Sequence, residues 1–203
     1  LAHRLAQRLG TVNREQILPY LTPDGKTQVG IDYRAGKPHR IHSISIVVGQ
    51  DKSSTDSISQ SQFQADIRAA VIDAVFETEE LRPDDNTRIF IDNDGSVEVG
   101  GPSAHSGLTG RKTAIDTYGE YARHSGAALS GKDPSRIDRI GAYAARYAAK
   151  NVVAAGLAAE CEVQLSYSIG LARPVSIQVE TFGTGKIADA AIADLITHHF
   201  EFR

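Results

Sequence analysis

Apolar residues at fourfold spacing open the chain, where Leu1, Leu5 and Leu9 predict a helix over residues 1–9. The segment 18–25 follows and contains the turn dipeptide Asp24-Gly25, so we expect a loop with an exposed turn there. Alternation of apolar and polar positions then predicts strands over residues 28–33 and 41–48. The first part of the chain therefore begins as a helix followed by two strands.

A stretch rich in serine, aspartate and glutamine, residues 51–62, precedes a predicted helix whose apolar face consists of Phe63, Ile67, Ala70, Val71 and Val75. Strands are predicted next over residues 87–92 and 96–99, joined by a hairpin turn at residues 93–95. These elements need a shared core, because a single helix or hairpin cannot bury its apolar side alone.

The composition changes near Gly100, after which glycines alternate with lysines and arginines up to Gly131. A helix over residues 134–155, strands over 162–169 and 175–182, and a last helix over 187–200 are then predicted. That last helix carries a stripe of Ile187, Ala191, Leu195 and His198. We expect an α+β fold of two similar units, each a mostly antiparallel sheet covered by helices, with domains at 1–100 and 101–203.

Composition excludes several classes of protein. Of the 203 residues, 41% are hydrophobic and 23% are charged, as in globular proteins, and no apolar run is long enough to cross a membrane. A net charge of −3 gives no support for a nucleic-acid partner. Cys161 is the single cysteine and is interpreted as a structural thiol rather than a reactive one, and no secretory signal pattern is present, so we expect a cytoplasmic location. There is no methionine, which indicates a processed or partial chain.

Residues 130–136, Ser-Gly-Lys-Asp-Pro-Ser-Arg, form the first candidate site. Asp133 is a good helix N-cap and Pro134 is favoured at the first helical position. Free N–H groups and the positive end of the helix dipole then lie beside Lys132 and Arg136, an arrangement that suits a polyphosphate. The alternative is that Asp133 only caps the helix and that the two cations are solvated.

Other basic residues extend this pattern. Arg111 and Lys112 follow a glycine turn and can point at one multiply charged group, although in a strand one of them would face away. Lys26 follows the Asp24-Gly25 turn as a weaker candidate. Asp116 and Asp138 can approach a magnesium-bound phosphate or can pair with a nearby arginine. A stripe of Arg139, Tyr143, Arg146 and Lys150 is interpreted as solvated or subunit-facing rather than as a ligand surface.

Standard phosphate and metal motifs are missing from the sequence. It contains neither a P-loop nor a dinucleotide fingerprint, and its seven histidines lack metal-ligand spacing. From the residues alone, the prediction is a phosphate-rich ligand at a glycine-rich basic segment, and nothing finer.

A series of ordered motifs resembles S-adenosylmethionine synthetases (methionine adenosyltransferases). The matching segments are residues 107–112 (GLTGRK), 116–119 (DTYG), 122–124 (ARH), 130–135 (SGKDPS), 138–139 (DR), 142–146 (AYAAR), 149–157 (AKNVVAAGL), 166–170 (SYSIG) and 179–184 (VETFGT), with 2–5 (AHRL) and 21–26 (LTPDGK) upstream. The resemblance covers nearly the whole chain and weakens between residues 31 and 93. It implies the central domain of that family over 1–100 and the C-terminal domain over 101–203, both incomplete, with the N-terminal domain absent.

The resemblance implies an enzyme that joins L-methionine to ATP. The methionine sulfur attacks the 5′ carbon of ATP, and the expelled tripolyphosphate is hydrolysed to pyrophosphate and phosphate. By this resemblance the catalytic residues are Lys26, Arg111, Lys112 and Lys132, and the nucleotide region is lined by Asp24, Gly25, Lys26, Ser96, Val97, His105, Arg111, Lys112, Ala128 and Lys132. His105 and Arg136 lie near methionine, and Asp138 is the metal candidate. Mg²⁺ and K⁺ are the implied cofactors, with active sites at the interface of a homodimer, often within a homotetramer.

Several positions depart from the family pattern. Ser96 stands where an arginine that contacts the nucleotide is usual, His105 replaces an aspartate, and Arg136 replaces a lysine. Leu129 replaces a phenylalanine, and Ser125 and Ala127 interrupt a glycine run. By the same resemblance the N-terminal domain and the last stretch of the C-terminal domain are absent, so we expect that the chain alone is inactive. The changes at Ser96 and His105 leave open a degenerate paralogue that binds nucleotide without catalysis, and those at His105 and Arg136 leave open a related enzyme with altered substrate choice.

Overall fold

The computed structural model describes residues 1–51, 58–92, 107–108, 110–115, 117–119 and 121–203. The chain divides into two compact units, Leu1–Gly107 and Leu108–Arg203. Helices and small sheets occur in both, and two of the three strand pairings in the described part are antiparallel. The predicted α+β class is therefore confirmed. The predicted domain boundary near Gly100 lies outside the described residues.

In the first unit, helix α1 (Ala2–Arg14) leads into a long antiparallel hairpin of β1 (Leu21–Arg34) and β2 (Lys37–Gln50). α1 buries the side chains Leu5, Leu9 and Val12, which lie on one helical face. The hairpin reverses at Ala35 and Gly36, whose φ angles of +49° and +74° have the sign that a tight two-residue hairpin turn requires. Both predicted strands are confirmed, and both are longer than the alternating pattern indicated.

The predicted loop at residues 18–25 is wrong in its second half, because Asp24 and Gly25 lie inside β1. The pairing with β2 is irregular between Leu21 and Gly25, and regular pairing resumes with Gly25 opposite Val48. A Cβ at Gly25 would lie 2.6 Å from Cδ2 of Leu9, so the glycine lets α1 pack against the strand. The Asp-Gly pair therefore marks a strand irregularity rather than an exposed turn.

The predicted helix after residue 58 is present in three consecutive parts: α2 (Gln60–Ile67), a π-helical segment (Arg68–Asp73) and the short α3 (Ala74–Phe76). The side chain of Ser59 caps α2 by accepting the N–H of Gln62 at 3.2 Å. A wider turn in the π segment places both Val71 and Ile72 in the core. The apolar face is thus confirmed and is broader than helical spacing indicated.

Strand β3 (Arg88–Ile91) is the third described strand of this sheet, in the order β1-β2-β3, and runs parallel to β2, with Ile44 opposite Ile89. The predicted partner strand at 96–99 and its turn lie outside the described residues. The core of this unit contains side chains from α1, the sheet and the long helix; its fully buried members include Leu5, Val12, Ile41, Ile44, Ile46, Phe63, Ile67, Val71 and Ile72.

The second unit contains α4 (Ile137–Ala154), an antiparallel pair of β4 (Glu162–Ser166) and β5 (Ser176–Glu180), and α5 (Asp189–His199). Its core is formed by Ala148, Val152, Ala158, Ile192, Ile196 and Phe202. The four residues of the predicted stripe, Ile187, Ala191, Leu195 and His198, are all exposed, and α5 packs through Ile192 and Ile196 instead. One helix carries two apolar stripes, and periodicity alone does not select between them.

Candidate functional site

The predicted Gly-Arg-Lys segment forms a turn in the second unit. The backbone N–H of Arg111 donates to the carbonyl of Leu108 at 2.9 Å, and Gly110 has a φ of +74°, which favours glycine. Arg111 and Lys112 are both exposed. They lie outside any strand, so the alternation that would turn one of them inward does not apply.

This turn packs against the segment around Ala128. A Cβ at Gly110 would lie 3.1 Å from Cβ of Ala128 and 3.9 Å from the carbonyl oxygen of Ser130. Ala128 is half-buried, and the chain turns again after it, with the N–H of Lys132 donating to the carbonyl of Leu129 at 3.4 Å. The turn with Arg111 and the turn that ends at Lys132 are therefore neighbours in space.

Lys132 is held on two sides by α4. Its ammonium donates to Oδ2 of Asp138 at 2.6 Å, and its backbone carbonyl accepts Nη1 of Arg139 at 2.6 Å. The lysine side chain is 28% exposed, so it remains accessible to a ligand while its position is restricted. Asp138, the metal candidate, lies in the first turn of α4 and has Lys132 as its ion-pair partner.

The predicted start of the long helix is wrong. α4 begins at Ile137 with Arg136 as its N-cap, rather than with Asp133 as the cap and Pro134 as the first helical residue. Oδ1 of Asp133 instead accepts the N–H and the hydroxyl of Ser135, at 2.8 and 2.5 Å. The bond from the Ser135 hydroxyl contributes most, and together the two bonds hold the pKa of Asp133 below its ordinary value. The helix terminus therefore adjoins Arg136, four residues after Lys132.

The residues predicted from the first strand lie in the first unit. Asp24 is half-buried, and Gly25 and Lys26 are exposed, all on β1. Lys26 pairs with Val47 in the strand register. Arg111, Lys112, Ala128, Lys132 and Arg136 belong to the second unit.

Four predicted residues, Ser96, Val97, His105 and Asp116, lie outside the described residues. Within the described ranges, no group of three His, Cys, Asp or Glu side chains can hold a metal ion. Among these described residues Asp138 has no cluster of protein ligands around it, and phosphate oxygens are ligands of the kind that Mg²⁺ takes beside one carboxylate.

The stripe predicted along α4 has partners within its own unit. The guanidinium of Arg139 lies 5.4 Å from the ring centroid of Tyr143, and that of Arg146 lies 5.8 Å from the ring of Tyr118. Lys150 is exposed. Two of the stripe's three cations therefore pack on aromatic rings. The contact of Arg146 with Tyr118 joins α4 to the loop that precedes it.

Sequence reasoning missed the contacts between the loop that precedes α4 and the strand pair β4–β5. Arg123 reaches the carboxylates of Glu162 and Glu180, and the hydroxyl of Tyr121 donates to Glu160 at 3.1 Å. The signal was available, because the predicted strands place a glutamate at the start of one and near the end of the other. Cys161 is half-buried beside Glu162, and burial, followed by the charges of Asp189 and Glu162, raises its pKa, as expected of an unreactive thiol.

Comparison with known proteins assigns both halves of the chain. Residues 1–97 match the central domain of S-adenosylmethionine synthetase, and residues 99–203 match its C-terminal domain. The chain belongs to the S-adenosylmethionine synthetase family. The predicted resemblance is therefore confirmed, and it covers both ends of the chain as well as the glycine-rich segment.

Curated relatives named S-adenosylmethionine synthase support the same assignment. The synthase of Microcystis aeruginosa is 51% identical over 207 residues, covering 100% of this chain and 50% of that protein. The synthase of Thermosynechococcus vestitus is 52% identical over 208 residues with the same coverage, and that of Synechococcus elongatus is 51% identical over 208 residues, again with that coverage. The chain thus spans about half the length of the curated relatives it matches. No helix in the described part is long and apolar enough to span a membrane.

Proposed function

We propose that this chain forms part of a synthase that makes S-adenosylmethionine from ATP and L-methionine. The proposal rests on family membership together with one observation in the second unit, the contact between the turn that carries Arg111 and Lys112 and the turn that ends at Lys132. Three cations on adjoining turns suit a ligand with several negative charges close together. A tripolyphosphate is such a ligand.

The chemistry explains why cations outnumber acids and bases among the candidates. The methionine sulfur attacks the 5′ carbon of ATP, a C–S bond forms, and the C–O bond to the triphosphate breaks. A thioether has no proton to lose, so the reaction needs no general base at that step. Catalysis then depends on positioning the reactants and on stabilising the departing negative charge, which Lys26, Arg111, Lys112 and Lys132 would provide. Hydrolysis of the tripolyphosphate to pyrophosphate and phosphate would follow at the same cations.

Asp24, Gly25, Ser96, Val97, His105 and Ala128 are proposed to line the nucleotide region, and His105 and Arg136 to lie near methionine. Asp138, whose Oδ2 accepts the ammonium of Lys132, is proposed as a ligand of Mg²⁺, since magnesium in such sites takes one or two carboxylates and completes its coordination with substrate phosphates and water. Bound Mg²⁺ would neutralise charge on the phosphates. K⁺ is proposed as a second cofactor without an assigned ligand residue. We further propose a cytoplasmic homodimer or homotetramer with active sites at the dimer interface.

The test begins with the natural full-length polypeptide, whose intact mass is measured before assay. With ATP, L-methionine, Mg²⁺ and K⁺, we expect S-adenosylmethionine by chromatography and one pyrophosphate and one phosphate per product. Omitting methionine and chelating Mg²⁺ are the controls. ATP binding by calorimetry without any product would instead identify a non-catalytic paralogue. Faster turnover of a methionine analogue than of methionine would indicate altered substrate choice.

A further inference from the structure

The strand pair of the second unit places two like charges face to face. β4 and β5 are antiparallel, and Glu162 lies directly opposite Glu180 in their register. Directly opposed like charges destabilise a sheet, because the two side chains share one face at close range. A cation between them would remove this repulsion.

Arg123 supplies that cation, and it comes from the loop rather than from the sheet. Its Nε lies 2.9 Å from Oε1 of Glu162, and its Nη2 lies 4.0 Å from Oε2 of Glu180. Its guanidinium carbon also lies 5.7 Å from the ring centroid of Phe182, which follows β5 with a φ of +54°. The arginine side chain is 69% exposed, so its contribution is to orient the loop rather than to fill a core.

Two tyrosines near Arg123 also hold the loop against the rest of the second unit. Tyr121 donates its hydroxyl to Glu160 just before β4, and the ring of Tyr118 lies against Arg146 on α4. These contacts fasten the middle of the loop that carries Arg111 and Lys112 at one end and Lys132 at the other. Five residues after Arg123, Ala128 meets the Gly110 turn.

We propose that Arg123 is a positioning residue that holds the loop on the sheet by bridging Glu162 and Glu180. In this position the cations at both ends of the loop bind the same triphosphate. The inference rests on the proposed function and adds a determinant of ATP affinity that does not touch ATP. Removing Arg123 has two separable effects, the release of the loop and the return of repulsion between two glutamates.

The experiment separates these effects with three variants of the natural full-length polypeptide. For Arg123→Gln we expect a lower Tm and a KM for ATP raised on the order of fivefold, as expected for the loss of a few exposed ion-pair and cation–π contacts, with kcat changed less than about twofold. The double variant Arg123→Gln/Glu180→Gln removes the repulsion, so its Tm should recover while the raised KM for ATP persists. Arg123→Lys, which keeps the charge but loses the planar fork, should give an intermediate KM.

Arg173→Gln is the matched control, an exposed arginine of the same unit in the connection between β4 and β5. An unchanged KM for ATP in Arg123→Gln, or a KM that recovers together with Tm in the double variant, would overturn the inference. ATP affinity is measured in parallel by calorimetry on every variant. If the unmodified protein makes no S-adenosylmethionine, the proposed function fails, and the calorimetric comparison still decides whether Arg123 controls nucleotide affinity.

Discussion

Replacing Lys132 with methionine tests whether this lysine contacts a phosphate of the substrate. The side chain keeps an unbranched stem one atom shorter than that of lysine and loses its charge, and the accessible ammonium now paired with Asp138 at 2.6 Å disappears. A hydrogen bond to a charged group contributes about 1.5–3 kcal/mol. The expected loss in kcat/KM for ATP is therefore about 10- to 150-fold.

The freed carboxylate of Asp138 adds a second effect, since it would stand unpaired near the triphosphate. Two unit charges about 4 Å apart interact by about 1 kcal/mol in water, and by more where water is excluded. If Asp138 serves only as the partner of Lys132, the double variant Lys132→Met/Asp138→Asn should recover about fivefold of the loss. If Asp138 holds Mg²⁺, the double variant should be worse than the single one.

The assay is steady-state formation of S-adenosylmethionine with ATP varied at saturating methionine. Lys150→Met, an exposed lysine farther along α4, is the matched control for losing one positive charge. Equal kcat/KM for ATP in Lys132→Met and Lys150→Met would refute the assignment of Lys132 to the phosphates. Far-UV circular dichroism of each variant checks that the fold is retained.

Two further predictions concern stability. Ile196→Ala should lower the free energy of unfolding of the second unit by about 2–5 kcal/mol, because that side chain is 1% exposed. Leu195→Ala, at a 40% exposed position, should lower it far less. Urea unfolding of the two variants measures both losses, and equal losses would contradict the packed face of α5. The guanidinium of Arg40 donates hydrogen bonds to the carboxylate of Asp84 and holds the pKa of Asp84 well below its usual range. Asp84 therefore stabilises the fold above about pH 4, and this stabilisation is lost as the pH falls below that value. The stability difference between wild type and Asp84→Asn should therefore shrink on acidification from pH 7 to pH 2, and a difference that stays constant would count against this linkage.

Periodicity predicted those parts of the fold in which one face of an element is buried. The β1–β2 hairpin and the helix with Phe63 and Ile67 follow from it directly, because alternation and helical spacing each expose a single apolar side. It did not identify the packed face of α5, where Leu195 and Ile196 belong to different apolar stripes. The choice between these stripes depends on the sheet beneath the helix, which local spacing does not encode.

Local capping preferences failed for a different reason. An aspartate before a helix and an aspartate in an isolated turn make the same kind of side-chain bond to a backbone N–H two or three residues ahead. Asp133 uses that bond with Ser135 in a turn, and the helix begins only at Ile137. At Asp24-Gly25 the packing of Leu9 against the strand overrides the turn preference.

The candidate site was predictable as a set of residue types and much less so as an arrangement. Motif order proposes Arg111, Lys112 and Lys132 as site residues, because they stand in segments with many matching neighbours. The contact of Gly110 with Ala128 and the bridge made by Arg123 arise in a loop without regular structure, where no periodic signal exists. The sequence places a glutamate on each predicted strand, and the structure shows that Arg123 is the cation that contacts both.

The parallel pairing of β3 bears on the order in which the first sheet assembles. β1 and β2 meet across a two-residue turn, so little chain entropy is lost when they pair. β3 joins the same sheet only after the chain has traversed α2, the π segment and α3, which makes its contacts non-local and slower to form. During refolding, the amides of Arg88–Ile91 should therefore be the last in this sheet to gain protection from hydrogen exchange.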